Sequence, residues 1–260
     1  MNRRPLTIKG FLETSFVDWP GHVCSVIFLG GCSFRCPVCQ NPQLVLTPHE
    51  LPDMELEDAL AYLGCRRRWI DGLTISGGEP TMHADLLPLL ERVNQEGIPI
   101  KLDTNGSRPD VLRKILEQRL VSAVFMDVKA PLNSREYSQV AGISLDVARI
   151  KESIQLLQQA DIEVVFRTTV IPGLVEEKEL ARIRQSLSSC RPFVIQGFRS
   201  RNTLDPRLRT LPEFTPERLA AMKRRFEVRF PRTTKVEAWS LPSSPPRQQP
   251  ISSVYRKACG

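Results

Sequence analysis

The sequence predicts an α/β fold: a partial (β/α)6 barrel with parallel strands, followed by a short C-terminal extension. Three observations carry that prediction. Short apolar, β-rich runs alternate with amphipathic helical stretches between residues 23 and 198, and such alternation builds a parallel sheet through right-handed crossovers. Six of the runs have strand length, enough to curve into part of a barrel. Nearly every run ends in glycine or polar residues, at the end where parallel α/β folds gather their sites.

Residues 1–20 read as an irregular lead-in, with Phe11, Phe16 and Trp19 available to pack on a core and Trp19-Pro20-Gly21 forming a turn. The run 23–29 is a buried strand that stops at Gly30-Gly31, and Cys32, Cys36 and Cys39 follow as C-x3-C-x2-C. Residues 44–52 form a proline-containing linker. Leu56, Leu60 and Leu63 give 55–69 a helical period, and 73–75 is a strand ending in Ser76-Gly77-Gly78-Glu79-Pro80. The stretch 84–96 carries Leu86, Leu89, Leu90 and Val93 on one helical face, and Gly97 stops it. Strand 98–102 ends in Asp103-Thr104-Asn105-Gly106, and helix 109–118 follows it. Strand 121–125 runs into Met126-Asp127-Val128-Lys129 and precedes helix 145–159. Strand 162–170 ends in Ile171-Pro172-Gly173, before helix 174–188 and a last strand at 193–198.

The expected organisation is therefore a lead-in (1–20) packing on the core, a core (21–200) and an extension (201–260). The extension contains one helix at 216–229, a short strand at 235–239 and a disordered tail rich in Pro, Ser and Gln.

A chain of 260 residues, 41% hydrophobic and 25% charged, buries one substantial core. The net charge of +7 is spread along the chain. Its densest clusters, Arg66-Arg67-Arg68 and Lys223-Arg224-Arg225, fall in helical segments. A solvated helix face explains them first and docking to an acidic protein second. No basic stretch is interleaved with aromatics in the manner that stacks bases. No apolar run approaches the roughly 20 residues that cross a bilayer, and no signal-peptide h-region follows the N-terminal arginines. The expected compartment is the cytoplasm, where thiols stay reduced.

Three of seven cysteines lie within eight residues on a loop leaving a strand. Such a loop can turn three thiolates toward one iron–sulfur cluster. A 4Fe–4S cubane held by three cysteines keeps one iron open. The alternative is a zinc site with Cys24, Cys65 or His22 as fourth ligand, although no second cysteine knuckle is present. Disulfides fit poorly with an odd cysteine count, and Cys259 near the chain end reads as incidental. Gly77-Gly78-Glu79 alone is an ordinary turn with an acidic residue at a helix start. Next to the cysteine strand, bare backbone and one carboxylate suit a ligand carrying an ammonium group. Asp103, Asp127, Lys129, Arg167 and Gln196 belong to the strands that follow, at or near their ends, and together they read as a ligand pocket.

With these residues assembled, the chain resembles the radical S-adenosylmethionine (SAM) enzymes. Cys32-x3-Cys36-x2-Cys39 and Gly77-Gly78-Glu79-Pro80 carry the resemblance, and Leu102-Asp103-Thr104-Asn105-Gly106, Asp127-Val128-Lys129 and Arg167-x2-Val170-x-Pro172-Gly173 narrow it to the glycyl-radical-enzyme activases. The opening Gly10-Phe11…Ser15…Asp18-Trp19-Pro20-Gly21, with Gly31-Cys32…Arg35-Cys36-Pro37…Cys39…Asn41-Pro42, is most similar to the activating proteins of anaerobic ribonucleotide reductase. The likeness runs from about residue 8 to 200. Val38 stands where the superfamily usually has an aromatic residue near the adenine. Gln40-Asn41 stands where the activases commonly carry His-Asn.

The resemblance implies that Cys32, Cys36 and Cys39 hold a 4Fe–4S cluster whose open iron chelates SAM. It implies that Gly77, Gly78 and Glu79 hold the SAM ammonium, that Arg167 pairs with its carboxylate or ribose, and that Asp103, Lys129 and Gln196 complete the site. A monovalent cation near Asp103, Thr104 and Asp127 is a further implication. So is the reaction: reductive cleavage of SAM to a 5′-deoxyadenosyl radical, which takes hydrogen from a partner glycine. The implied partners are anaerobic ribonucleotide reductase and a one-electron donor such as flavodoxin or ferredoxin. Another glycyl-radical enzyme of the pyruvate formate-lyase type, or a small-molecule substrate, is the second reading. A zinc-stabilised nucleic-acid-binding module is the third.

Overall fold

The computed structural model describes residues 8–187 and 191–228. A seven-stranded sheet runs in chain order through β1 (Ile8–Ser15), β2 (Cys24–Leu29), β3 (Gly72–Gly77), β4 (Ile100–Thr104), β5 (Ala123–Asp127), β6 (Glu163–Val170) and β7 (Phe193–Gly197). β2 to β7 are all parallel, and β1 alone is antiparallel, pairing with β2 from Ile8↔Leu29 to Ser15↔Cys24. The six parallel strands expected from the alternation are all present, and their crossovers carry the helices α2 (Leu56–Arg66), α3 (Leu86–Gln95), α4 (Pro109–Glu117), α6 (Ala148–Gln159) and α7 (Glu177–Ser186). α8 (Pro216–Phe226) follows β7 and buries Met222.

Three elements correct the sequence reading. The stretch at 8–15 is not irregular: it is the edge strand β1. Its register shifts at two places, and its burial runs as one half-buried to exposed block from Lys9 to Thr14 instead of alternating, so the period-2 signal is weak. Phe11 packs edge-on to Tyr62, with ring centroids 5.4 Å apart, whereas Phe16 is 73% exposed. The helix α1 (Pro42–Leu46) runs into the stretch expected as a linker, 44–52, and Pro42 starts it at a position where its missing N–H costs nothing. α5 (Ser134–Ala141) was not expected. Asn133 caps it by accepting from the Glu136 N–H, and Gly142 ends it in the left-handed conformation. The strand expected at 235–239 and the tail from 241 lie outside the described residues.

Side chains alternate across the parallel strands. On the outer face Ile27, Leu29, Leu73, Ile75, Ile100, Leu102, Val124, Met126, Val164, Phe166, Val170, Phe193 and Ile195 pack against the helices as one apolar cluster. The inner face is different. Its apolar part is small: Trp19, Cys24, Val26, Ala123, Phe125 and Val165, with Phe28 and Val194 beside them. The Trp19 ring sits against Gly72, where a Cβ would come within 2.8 Å of it, and its indole N–H donates to Glu163. Toward the C-terminal ends the inner residues turn polar: Ser76, Asp103, Asp127, Thr169 and Gln196 line a cavity there. The curvature of the sheet thus brings the ends of six strands to one place.

Candidate active site at the strand C-termini

The cavity has a volume of about 440 Å³. All ten residues that the sequence singled out as site residues line it: Cys32, Cys36, Cys39, Gly77, Gly78, Glu79, Asp103, Lys129, Arg167 and Gln196. Thr104 and Asp127 line it as well, and so do Val38, Gln40 and Asn41.

The cysteine loop leaves β2 and is pinned from several sides. The Gly31 N–H donates to the Leu44 carbonyl (2.7 Å), the Arg35 N–H to Ala141 (2.9 Å), and His83 Nε2 lies 2.8 Å from the Gly30 carbonyl. The segment after β7 closes the other flank: Leu204 N–H donates to the Cys39 carbonyl (3.1 Å), Asp205 N–H to Pro37 (2.9 Å), and the Gln40 amide to the Arg199 carbonyl (2.8 Å). Sequence reasoning assigned no contact to residues 199–205. Cys32, Cys36 and Cys39 are free thiols. Burial pushes the Cys32 thiol up to about 11 and raises Cys36 as well, so loading a metal there displaces protons.

Gly77 and Gly78 are glycines because two backbones meet. A Cβ on Gly77, whose φ is +126°, would fall 2.3 Å from the Leu29 carbonyl oxygen, and one on Gly78 would fall 1.7 Å from that of Gly31. The Gly78 and Glu79 N–H groups donate to those same carbonyls, Leu29 at 2.9 Å and Gly31 at 2.8 Å. The glycines therefore lock the β3 turn to the root of the cysteine loop while leaving bare backbone in the cavity wall.

Glu79 lines the cavity and is also bonded to the protein around it. Its side chain is fully buried. Oε1 accepts from the Thr81 N–H, the Thr81 hydroxyl and the Thr104 hydroxyl, and Oε2 from the Asn105 N–H. The carboxylate ties the β3 turn to the β4 turn, and protein donors take most of its acceptor capacity. Burial raises its pKa against those four donors.

Across β4, β5 and β6 runs a string of alternating charges. Lys101 pairs with Asp103 (2.8 Å), Asp103 with Arg167 (3.2 Å), Arg167 with Asp127 (2.7 Å) and Asp127 with Lys129 (2.9 Å). Burial alone would raise the Asp127 carboxyl, but Arg167 and Lys129 outweigh it and hold it well below the usual range. Burial likewise opposes the charge on Lys129, and Asp127 reverses that and holds the ammonium protonated. The Phe125 ring lies under both Lys101 (4.4 Å to the centroid) and Arg167 (5.7 Å). Lys101 is fully buried. It passed unnoticed in the sequence, where a lysine in a short strand carries no signal of its own.

Comparisons with known proteins fit this geometry. The family model of the radical SAM superfamily matches residues 26–183. The chain belongs to that superfamily. It is similar to a protein of Methanocaldococcus jannaschii named "Putative glycyl-radical enzyme activating enzyme", with 28% identity over 79% of this chain and 85% of that one. It is also similar to the pyruvate formate-lyase-activating enzyme of Clostridium pasteurianum, with 27% identity over 67% of this chain and 73% of the other. Among solved structures, Streptococcus suis SuiB bound to its precursor peptide SuiA shares the fold: TM-score 0.50, 15% identity, 62% of this chain and 35% of that one.

The donor set fits the cofactors that the superfamily implies, a 4Fe–4S cluster and SAM. Three free thiols share one cavity with bare glycine backbone and a string of fixed charges, the mixture of soft ligands and polar groups that a cluster and a charged sulfonium ligand need. Among the described residues, no helix is long and apolar enough to cross a membrane.

Proposed function

We propose that this chain is an activase that generates a glycyl radical on anaerobic ribonucleotide reductase. The observation that carries the reading is the convergence of Cys32, Cys36, Cys39, the Gly77-Gly78 backbone and the Asp103–Arg167–Asp127–Lys129 string on one cavity. Similarity to proteins named for glycyl-radical-enzyme and pyruvate formate-lyase activation supports the activase class. The Gly10-Phe11…Asp18-Trp19-Pro20-Gly21 opening supports the reductase as target.

In this reading the three thiolates hold the cluster. When bound, cluster and SAM supply one-electron cleavage of the sulfonium carbon–sulfur bond and, through it, abstraction of a hydrogen atom. The chain's own residues bind and orient. Carbonyls of the β3 turn would hold the SAM ammonium, while Glu79 keeps that turn in place. Lys129 and Arg167 present positive charge to the carboxylate and the ribose, already oriented by Asp127 and Asp103, so little reorganisation is left for binding. Gln196 adds an amide from β7. A monovalent cation at Asp103, Thr104 and Asp127 would compete with the ammonium groups of Lys101 and Lys129, which now neutralise those carboxylates. Val38 presents a smaller apolar surface to the adenine than an aromatic would.

The partner glycine enters at the cavity mouth, and the basic faces of α2 and α8 are the candidate docking surfaces. The electron comes from a flavodoxin or ferredoxin, and the setting is the cytoplasm. The test is anaerobic incubation of the reconstituted chain, SAM and reductant with anaerobic ribonucleotide reductase, or with pyruvate formate-lyase, read by EPR. A glycyl doublet on the reductase alone is the expected result. A doublet on pyruvate formate-lyase alone would move the assignment to that partner, and no doublet on either would end the activase reading.

A further inference from the structure

Asn105 follows β4 and is 6% exposed. Its backbone N–H donates to Glu79 Oε2 at 2.7 Å, which fixes where the residue sits. Its side-chain Oδ1 accepts from the Ser107 N–H at 2.9 Å. A backbone N–H can be accepted only by the amide oxygen, so this bond settles which way the side chain faces. The NH2 group then points at the cysteine loop, 3.0 Å from Ser33 Oγ and 3.8 Å from Cys32 Sγ. Ser33 Oγ lies 2.8 Å from Ser107 Oγ, which closes a ring of three polar contacts through the amide. Cys32 Sγ also accepts from the Phe34 N–H at 3.4 Å. Among the described residues, neither Cys36 nor Cys39 accepts a hydrogen bond at sulfur from a side chain. The loop is therefore asymmetric: one thiol of the three is addressed by a buried amide that is locked in orientation.

We infer that Asn105 is a positioning residue that tunes the reduction potential of the cluster through Cys32. The inference rests on the reading that Cys32, Cys36 and Cys39 hold a 4Fe–4S cluster. An N–H donor to a cysteine sulfur draws electron density from the cluster and stabilises its reduced, more negative state, so it raises the potential. The electron that must enter before SAM is cleaved then comes more readily from a weak donor. The cost of holding the amide is met by Glu79 and Ser107, on the same turns that position the cavity wall.

The test is a potentiometric titration of the full chain, reconstituted anaerobically with iron and sulfide and followed by EPR without SAM. Wild type is compared with Asn105→Leu, which removes donor and acceptor, and with Asn105→Asp, which keeps the acceptor for the Ser107 N–H and removes the donor. The expected order of midpoint potentials is wild type highest, Asn105→Leu lower and Asn105→Asp lowest, because the carboxylate adds negative charge beside the sulfur. Both variants titrating with wild type would overturn the inference. So would Asn105→Leu shifting alone, because the tie to Ser107 and not the donor would then be responsible. If a variant fails to load a cluster, pulsed EPR of reduced wild type with 15N-labelled asparagine decides: a nitrogen coupling is expected, and its absence would overturn the proposal. A wild-type chain that loads no cluster would refute the underlying cluster reading instead.

Discussion

The two faces of the sheet hold the same strands and follow different rules. On β6, Val164, Phe166 and Val170 face outward into the apolar cluster, while Val165, Arg167 and Thr169 face inward. On β4, Ile100 and Leu102 face out, and Lys101 and Asp103 face in. The outer face gains stability by removing apolar surface from water, a non-directional effect that falls off only when a cavity is left. The inner face holds three cations and two anions in a fixed order, which contributes little net stability because desolvation offsets Coulomb attraction. Its value lies in orientation: the charges stand ready at the cavity before any ligand arrives. The outer face makes the fold, and the inner face spends part of that stability on the site.

Neighbouring residues on one strand test this contrast. Phe166→Ala should cost about 3–5 kcal/mol, and to a similar extent at every pH where the protein folds, as measured by urea denaturation. Arg167→Met should cost up to about 3–5 kcal/mol near neutral pH, because Asp103 and Asp127 lose their shared partner inside the protein. That second loss should shrink with acid. Asp127 is held below its ordinary 3.8 in the folded chain, so the stability it contributes is present above that value and lost as pH falls through the folded one. The gap between Arg167→Met and wild type should therefore hold above about pH 4 and narrow only below it, while the Phe166→Ala gap stays. A pH-independent Arg167→Met gap would mean that its packing on Phe125, and not its charge, matters. Lys101→Met should cost less than about 3 kcal/mol, since Asp103 keeps Arg167. Arg113→Ala, which breaks an exposed pair with Glu152, should change stability by less than about 1 kcal/mol.

The six parallel strands were legible because each is a short apolar run closed by glycine or polar residues. The site was legible because those closing residues carry chemistry. What stayed hidden depends on contacts across the chain. Nothing near Glu79 in sequence shows that Thr104 and Asn105 bond its oxygens from another strand. Arg167 meets Asp103 and Asp127 only because β4, β5 and β6 are neighbours. Lys101 carries no signal in the sequence, and only the sheet buries it beside Asp103. β1 was missed because an edge strand with two register shifts loses its alternation. α5 was missed because eight residues, mostly polar, give too short a helical period to recognise.

The central claim is that the strand ends hold a three-cysteine 4Fe–4S cluster whose open iron binds SAM. EPR of the anaerobically reconstituted, reduced chain, recorded with and without SAM, tests it most directly. The account predicts a 4Fe–4S signal that changes on adding SAM and is absent in Cys36→Ala. A signal indifferent to SAM, or a cluster that survives the loss of Cys36, would contradict it.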